Sequence, residues 1–172
     1  MCIRDRPVRA YLLPRGDQAV SMSVSSATTA APPALDARWT AERFDNLEGH
    51  RAALLRARPA LAWRSTQLSQ GAVRGSVISS RSGSAVVTCT AVDGSFEMRG
   101  PVSTESLVLS LSLESPTPGM QWMRPAHAGM VGVFLPNQDV DTINRNRVSF
   151  AVIDMPRDEL ERRARQLGIS ID

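Results

Sequence analysis

The sequence predicts a mainly β domain with one short helix at each end. Short apolar runs recur at roughly 8–12-residue spacing, separated by Gly, Pro, Ser or Asn, which is typical of strands in a barrel or sandwich. Leucines at 107, 109, 111 and 113 alternate with other residues, so they lie on one face of one strand. We therefore predict a cupin-like or jelly-roll β-barrel, or a double-sheet sandwich of that type, because closure removes exposed strand edges.

A first helix is predicted to begin after Asn46. Asparagine is a preferred residue at the N-cap, where its side chain accepts a hydrogen bond from the first turn. Leu47, Leu54 and Leu55 then fall on one helical face, and Pro59 stops the helix. This segment is expected to pack its leucines against the strands that follow it.

Eight strands are predicted after the first helix. They are runs of β-branched and other apolar residues bounded by turn-forming residues. The predicted strands cover residues 61–68, 73–80, 85–92, 95–99, 107–113, 120–124, 131–135 and 148–153.

A second, amphipathic helix is predicted at the C-terminal end of the domain. Asp154 is a candidate cap, and Pro156 falls in the first turn, where proline is tolerated. Leu160, Ala164 and Leu167 form a narrow apolar stripe at positions i, i+4 and i+7. This stripe can pack either on the wall of the domain or on a second subunit.

The two ends of the chain are interpreted separately from the fold. Residues 1–6 match the translation of an adapter used in sequencing libraries, so we interpret residues 1–21 as a sequencing scar and untranslated leader. Residues 22–40 are rich in Ser, Ala, Thr and Pro and are predicted to form a flexible tail. The folded domain is therefore expected to cover residues 41–172.

The composition argues against a nucleic-acid-binding or membrane-spanning domain. The chain has a net charge of +3, and without residues 1–21 about +1 remains, which leaves no basic face for phosphates. No apolar run approaches the roughly 18 residues of a membrane-spanning helix. Outside the leader the sequence has one cysteine, Cys89, which is consistent with a reducing compartment. We expect a cytoplasmic protein with no membrane partner.

One phrase in the sequence resembles a known family. Residues 67–71 read Gln-Leu-Ser-Gln-Gly and precede Gly75, and they follow a Phe-Asp-x-x-x-x-His stretch that ends at His50. Residues 134–138 read Phe-Leu-Pro-Asn-Gln, with Asn137 where relatives often carry Gly. In these features the chain resembles the N-terminal sensing domain of AraC-type transcriptional regulators.

This resemblance implies a cupin-like domain that binds a small effector or pairs with a second copy. The predicted C-terminal helix, with Leu160, Ala164 and Leu167, would then serve homodimerisation. Contact with DNA would occur only through a C-terminal helix-turn-helix domain, which we expect beyond Asp172. The chain itself is expected to bind DNA negligibly, and the effector and the regulated genes are not identified by the sequence.

An effector would lie inside the barrel among apolar side chains with a few polar groups. Arg74, Arg99 and Arg124 are candidates to anchor an anionic effector, although each also fits the solvated face of its strand. The apolar candidates have the alternative role of filling the core. These candidates are Trp63, Cys89, Phe96, Met98, Met120, Trp122 and Phe150.

No catalytic residue, metal or cofactor is predicted. A metal-dependent cupin needs several His and a carboxylate on neighbouring strands, whereas this chain has only His50 on a predicted helix and His127 in a turn. It also lacks a Gly-x-Ser-x-Gly elbow, a P-loop and a dinucleotide-binding fingerprint. We therefore expect a protein that is not an enzyme. The alternative is a free-standing cupin-like small-molecule-binding protein or a metal-independent enzyme.

Overall fold

The computed structural model describes residues 10–11, 39–59, 61, 63–101, 103 and 106–166. Within these ranges the chain forms twelve strands in two sheets, together with two helices. The inner faces of both sheets contribute to one hydrophobic core. The prediction of a mainly β, cupin-like domain with a helix near each end is confirmed, but the two sheets are not closed into a continuous barrel.

The larger sheet has seven strands. Its described strands are antiparallel except for β1, which lies parallel to its neighbour. From one edge to the other, the order is β1 (Ala10–Tyr11), β10 (Val131–Phe134), β7 (Ser106–Glu114), β12 (Arg147–Pro156), β5 (Ala85–Asp93), β4 (Arg74–Ser82) and β2 (Trp39–Phe44).

The smaller sheet has five antiparallel strands. Its order is β3 (Arg64–Gln67), β6 (Phe96–Pro101), β11 (Asp139–Asn144), β8 (Gly119–Gln121) and β9 (Arg124–Ala126).

Three observed strands fall outside the predicted set. Strand β1 lies within the segment interpreted as leader. Strand β2 includes Trp39 and Thr40, the last two residues of the predicted tail, and residues 22–38 lie outside the described residues. Strand β11 reads Asp-Val-Asp-Thr-Ile-Asn, so its polar residues hid the alternation that buries Val140 and Asn144.

The predicted strand at 120–124 is interrupted by a two-residue turn. Trp122 and Met123 both have positive φ angles, 47° and 61°, and β8 therefore folds back on β9. Bulky residues rarely adopt this conformation. It is stabilised here because Trp122 donates a hydrogen bond from Nε1 to the Asp139 carbonyl oxygen at 3.0 Å and packs on Phe134, with 5.1 Å between ring centroids.

The first helix, α1 (Leu47–Ala57), begins as predicted. Asn46 Oδ1 accepts a hydrogen bond from the Gly49 amide at 2.7 Å, which satisfies one of the unpaired donors of the first turn. The helix ends before Pro59, at Arg58, whose amide donates to the Leu54 carbonyl oxygen at 2.8 Å. This hydrogen bond fixes the end of the helix, where the Arg58 side chain is buried.

The Gln-Leu-Ser-x-Gly-x-x-x-Gly phrase forms the passage from the smaller sheet to the larger one. Gln67 Nε2 donates to the carbonyl oxygens of Ser69 and Gly71 and holds the turn after β3. Gly75, in β4, is sterically required, because a Cβ there would lie 1.9 Å from the Ala91 carbonyl oxygen. The structure therefore explains two residues of this phrase. Gln67 holds the turn, and Gly75 allows the close approach of β4 to β5.

The second helix, α2 (Arg157–Gln166), begins later than predicted. Asp154 was expected to cap it, but Asp154 and Pro156 both belong to β12. The strand continues because its residues stay paired with β7 as far as Pro156. Glu159 instead forms ion pairs with Arg162 and Arg163 within the helix, and these hold the pKa of Glu159 below its usual value.

The leucine alternation in β7 is present, but its leucines lie on the outer face of the larger sheet. Val108, Ser110 and Ser112 occupy the inner face, whereas Leu113 is 46% exposed. On the neighbouring strand β5, the inner face buries Thr88 and Thr90 together with Val86 and Val92. The outer face continues with Ile78, Val87, Cys89, Val131, Val133, Ala151 and Ile153.

A buried histidine lies where α1 meets the core. His50 is fully buried, and its ring packs against Phe44 and Phe96 with centroid distances of 4.8 and 5.4 Å. Neither ring nitrogen has a hydrogen-bond partner among the described residues. Burial lowers the pKa of His50 from 6.5 to about 4, so the ring is neutral at physiological pH.

The free energy of unfolding should depend on pH because His50 is buried in its neutral form. Because the pKa of His50 is about 4 in the folded chain and returns to its usual 6.5 on unfolding, the unfolded chain binds more protons between these pH values. Its contribution to stability is complete above pH 6.5, and about 2 kcal/mol of it is lost by pH 5. Urea unfolding at pH 7 and pH 5 measures this loss.

A His50→Leu variant should reduce the loss by about that amount, whereas a variant of the exposed His127, His127→Gln, should retain it. An unchanged pH dependence in His50→Leu would contradict the assignment.

Candidate functional site

A cavity of about 80 Å³ lies between the inner faces of the two sheets. Strands β7 and β12 form one wall, and β8 and β11 contribute to the other. Most of the lining is apolar, which is typical of a small-molecule site. The apolar residues of the lining include Trp63, Met98, Val108, Phe134, Val140, Val148, Phe150 and Val152.

Arg58 provides a charged group at this cavity. Its side chain is 2% exposed, and Nε and Nη2 both donate to Asp154 Oδ2, at 3.0 and 2.9 Å. Burial lowers the pKa of Arg58, and the charge of Asp154 opposes that effect. Arginine nevertheless remains protonated in proteins, so the cavity contains a guanidinium cation.

The remaining polar groups of the lining include two amides with unpaired donors. Nδ2 of Asn144 and Nε2 of Gln121 are buried and have no hydrogen-bond partner within the described part of the chain. A buried donor without a partner costs about 1–3 kcal/mol, so it gains free energy from any ligand that accepts its hydrogen bond. The hydroxyls of Ser110, Ser112 and Thr142 also lie in the lining.

The apolar residues predicted for the ligand site are distributed over several environments. Trp63, Met98 and Phe150 line the cavity. Phe96 is fully buried, but it packs against His50 and lies outside the lining.

Two further candidates lie on the opposite faces of their strands. Cys89 alternates with the buried Thr88 and Thr90 and therefore lies on the outer face of β5. Met120 lies between Gly119 and Gln121, both of which line the cavity, so its side chain lies on the other face of β8.

Trp122 lines a second, surface pocket. This open pocket of about 320 Å³ also includes Arg124, His127, Met130 and Val131. Arg124 and His127 are exposed to solvent there. The structure therefore separates Trp122 from the site that contains Trp63.

None of the three arginines predicted as anion anchors lines the cavity between the sheets. Arg74 and Arg124 are exposed, and Arg99 is 63% exposed and forms ion pairs with Glu97 and Asp141. Sequence reasoning missed Arg58. Its position at the end of an amphipathic helix, just before Pro59, was visible in the sequence, but no pattern indicated its burial.

The residues of the stripe predicted for dimerisation differ in their burial. Ala164 is 6% exposed and packs within its own chain, whereas Leu160 is half-buried. Leu167 lies outside the described residues.

No cluster of three or more potential metal ligands occurs among the described residues. His50 is enclosed by aromatic rings and His127 is exposed, so the described structure does not bring the two together. Within the same ranges, no helix has the length and apolar character needed to cross a membrane.

Comparison with known proteins identifies similarity at the level of the fold. The AraC-like transcriptional activator CuxR aligns with 75% of this chain and with 52% of its own length, at a TM-score of 0.50 and 9% identity. This chain thus spans about half the length of that protein. No protein-family model matches the sequence, and no curated protein matches it significantly.

Two cupin structures also align with this chain. A cupin 2 conserved barrel domain protein from Salinispora arenicola aligns over 60% of this chain and 84% of its own, with 12% identity and a TM-score of 0.35. The cupin domain of Schizosaccharomyces pombe Cnp3 aligns over 62% and 77%, with 11% identity and a TM-score of 0.37.

A double-mutant cycle should reveal the cost of leaving one buried charge unpaired. Arg58→Leu alone leaves Asp154 without its partner and should lower the free energy of unfolding by about 3–5 kcal/mol. Replacing both residues by leucine should recover most of that loss, because two uncharged side chains need no ionic partner. Urea denaturation of both single variants and the double variant measures the coupling.

Arg56→Leu is the matched control, because Arg56 is an exposed arginine two residues earlier. It should change the free energy of unfolding by less than about 1 kcal/mol. Additive effects of the Arg58 and Asp154 substitutions would contradict a coupled pair.

Proposed function

We propose that this chain is the effector-sensing and dimerisation domain of an AraC-family transcriptional regulator. In this proposal the protein is cytoplasmic, and DNA contact belongs to a separate C-terminal helix-turn-helix domain. The sensing domain binds a small molecule between its sheets and transmits its state through a homodimer.

The cavity between the sheets is the observation that carries the proposal. Its wall combines apolar side chains with the Arg58 guanidinium and two buried amide donors, Gln121 Nε2 and Asn144 Nδ2, that lack partners among the described residues. Unpaired buried donors are costly in a region that serves only to hold the fold. A ligand with acceptor atoms would pair them, and the surrounding apolar groups would exclude water.

The shared fold supports this assignment of protein class. An AraC-like transcriptional activator has the same fold over three quarters of this chain, although only 9% of the aligned residues are identical. Fold alone does not determine function, so the proposal depends on the cavity together with the fold. The low net charge of +3 further favours a sensing role over direct binding of DNA.

The position of Asp154 links the cavity to the second helix. Asp154 pairs with Arg58 at the cavity and lies three residues before the start of α2 at Arg157. A ligand that alters the Arg58 contact therefore acts close to the base of this helix. Such proximity supports a route from effector binding to the subunit interface.

Two features support homodimerisation. The first is the half-buried Leu160 on α2, whereas Ala164 of the same predicted stripe packs within its own chain. The second is the outer face of the larger sheet, where Ile78, Leu113 and Ile153 are 39%, 46% and 37% exposed. Contiguous apolar surface of this kind commonly marks an interface between proteins.

The alternative is a free-standing cupin-like protein that binds a small molecule or acts as a metal-independent enzyme. The same cavity would serve that function without a DNA-binding domain. The nucleotide sequence that follows the codon for Asp172 separates the two. A continued frame with two helix-turn-helix patterns supports the regulator, and an immediate stop codon supports the alternative.

The dimer predicts a specific effect of charge on α2. Leu160→Glu introduces a carboxylate into the apolar stripe and should convert the dimer into a folded monomer, because an unpaired charge is costly at a buried interface. Sedimentation measures the mass of the particle, and circular dichroism measures folding.

Arg165→Glu, on an exposed position of the same helix, is the control and should remain dimeric. A wild-type chain that is monomeric at high concentration would contradict the dimer, and an unfolded Leu160→Glu chain would assign Leu160 to the core of its own domain.

A reporter chimera tests the sensing function. The chain is fused to the helix-turn-helix domain of an AraC-like regulator, and transcription is measured across a library of small metabolites. Ser110→Phe fills the cavity and should abolish any response, whereas Ser84→Phe adds the same volume in the exposed turn between β4 and β5 and should preserve it. A response that survives Ser110→Phe would contradict sensing by this cavity.

A further inference from the structure

We propose that the cavity between the sheets binds a small carboxylate that carries a short apolar tail. This inference rests on the proposed function, since it names the chemical class of the ligand for the same cavity. The carboxylate would accept hydrogen bonds from Arg58, Asn144 and Gln121, and the tail would contact the apolar wall.

The charge of the lining selects an anion. Arg58 is the one residue with an ionised side chain among the described residues that line the cavity. Its partner Asp154 lies outside that lining and engages only Nε and Nη2 of the guanidinium. A guanidinium has five N–H donors, and Asp154 accepts hydrogen bonds from only two of its nitrogens.

The uncharged polar groups favour a ligand that accepts hydrogen bonds. Asn144 is 8% exposed, and its Nδ2 is buried without a partner in the described ranges. Nε2 of Gln121, on the neighbouring strand β8, is likewise buried without a hydrogen-bond partner among the described residues. A carboxylate has about four acceptor sites, so it can accept from more than one of the donors in the lining.

The size of the cavity limits the rest of the ligand. A water-sized group needs about 10–15 Å³ of this volume, so a cavity of about 80 Å³ accommodates roughly five to eight non-hydrogen atoms. Val140, Val148 and Val152 lie in the lining and would pack against hydrocarbon. Butyrate and valerate have the required size, charge and apolar tail.

The Arg58–Asp154 pair gives the proposal a distinctive signature. A bound carboxylate shares the guanidinium with Asp154, so removal of the Asp154 charge should strengthen ligand binding. An uncharged ligand gains no comparable advantage. The two substitutions Asp154→Asn and Asn144→Leu should therefore shift the affinity for a carboxylate in opposite directions.

The experiment measures binding of butyrate and of butyramide, which has nearly the same shape without the charge, to the full chain by calorimetry. We expect butyrate to bind at least about tenfold more tightly than butyramide. Asn144→Leu should weaken butyrate binding about tenfold, and Asp154→Asn should strengthen it by a similar factor. Arg56→Leu, which changes an exposed arginine of the same helix, should leave both affinities unchanged.

The double variant Arg58→Leu/Asp154→Leu keeps the measurement independent of folding, because it leaves neither residue as an unpaired buried charge. It should bind butyrate and butyramide with equal affinity. Equal affinities in the wild-type chain, or no butyrate binding at all, would overturn the carboxylate proposal. In either case the reporter chimera separately determines whether a sensing function stands, because its library includes uncharged metabolites.

Discussion

The ion pair between Arg58 and Asp154 is the constraint on which the arrangement of this domain depends. It joins the end of the first helix to the last strand, and it does so at the wall of the cavity between the sheets. Burial makes each charge costly without the other, so the two elements are held in one relative position. This one ion pair therefore connects the cavity, the end of the first helix and the strand that leads into the second helix.

The two faces of the larger sheet differ in polarity, and this difference bears on function. Its inner face carries hydroxyl residues such as Thr88, Thr90 and Ser110, whereas its outer face carries leucines and Ile153. The same inner face also contributes the buried Val108, Phe150 and Val152 to the core. The hydroxyls leave room for polar recognition inside the domain, and the outer face leaves apolar surface for association.

Local features of the fold could be predicted from the sequence. The Asn46 cap forms the expected hydrogen bond, and Asn137, at the position where the resemblance expects Gly, adopts a φ angle of 62°, in the left-handed region that Gly and Asn tolerate. The site was predicted only in part. Trp63, Met98 and Phe150 line the cavity, but Cys89 and Met120 do not, because alternation within a strand leaves open which of its two faces turns inward.

The sequence by itself determined the class of fold and the local signals that begin and end its elements, because these depend on interactions between residues a few positions apart. The tertiary structure alone decided that the leucines of β7 face outward and that Arg58 meets Asp154, 96 residues further along the chain. Strand periodicity is the same for either face, and an arginine before a proline resembles many exposed arginines. Only the packing of both sheets around one cavity distinguishes these arrangements, because burial is a property of the assembled domain.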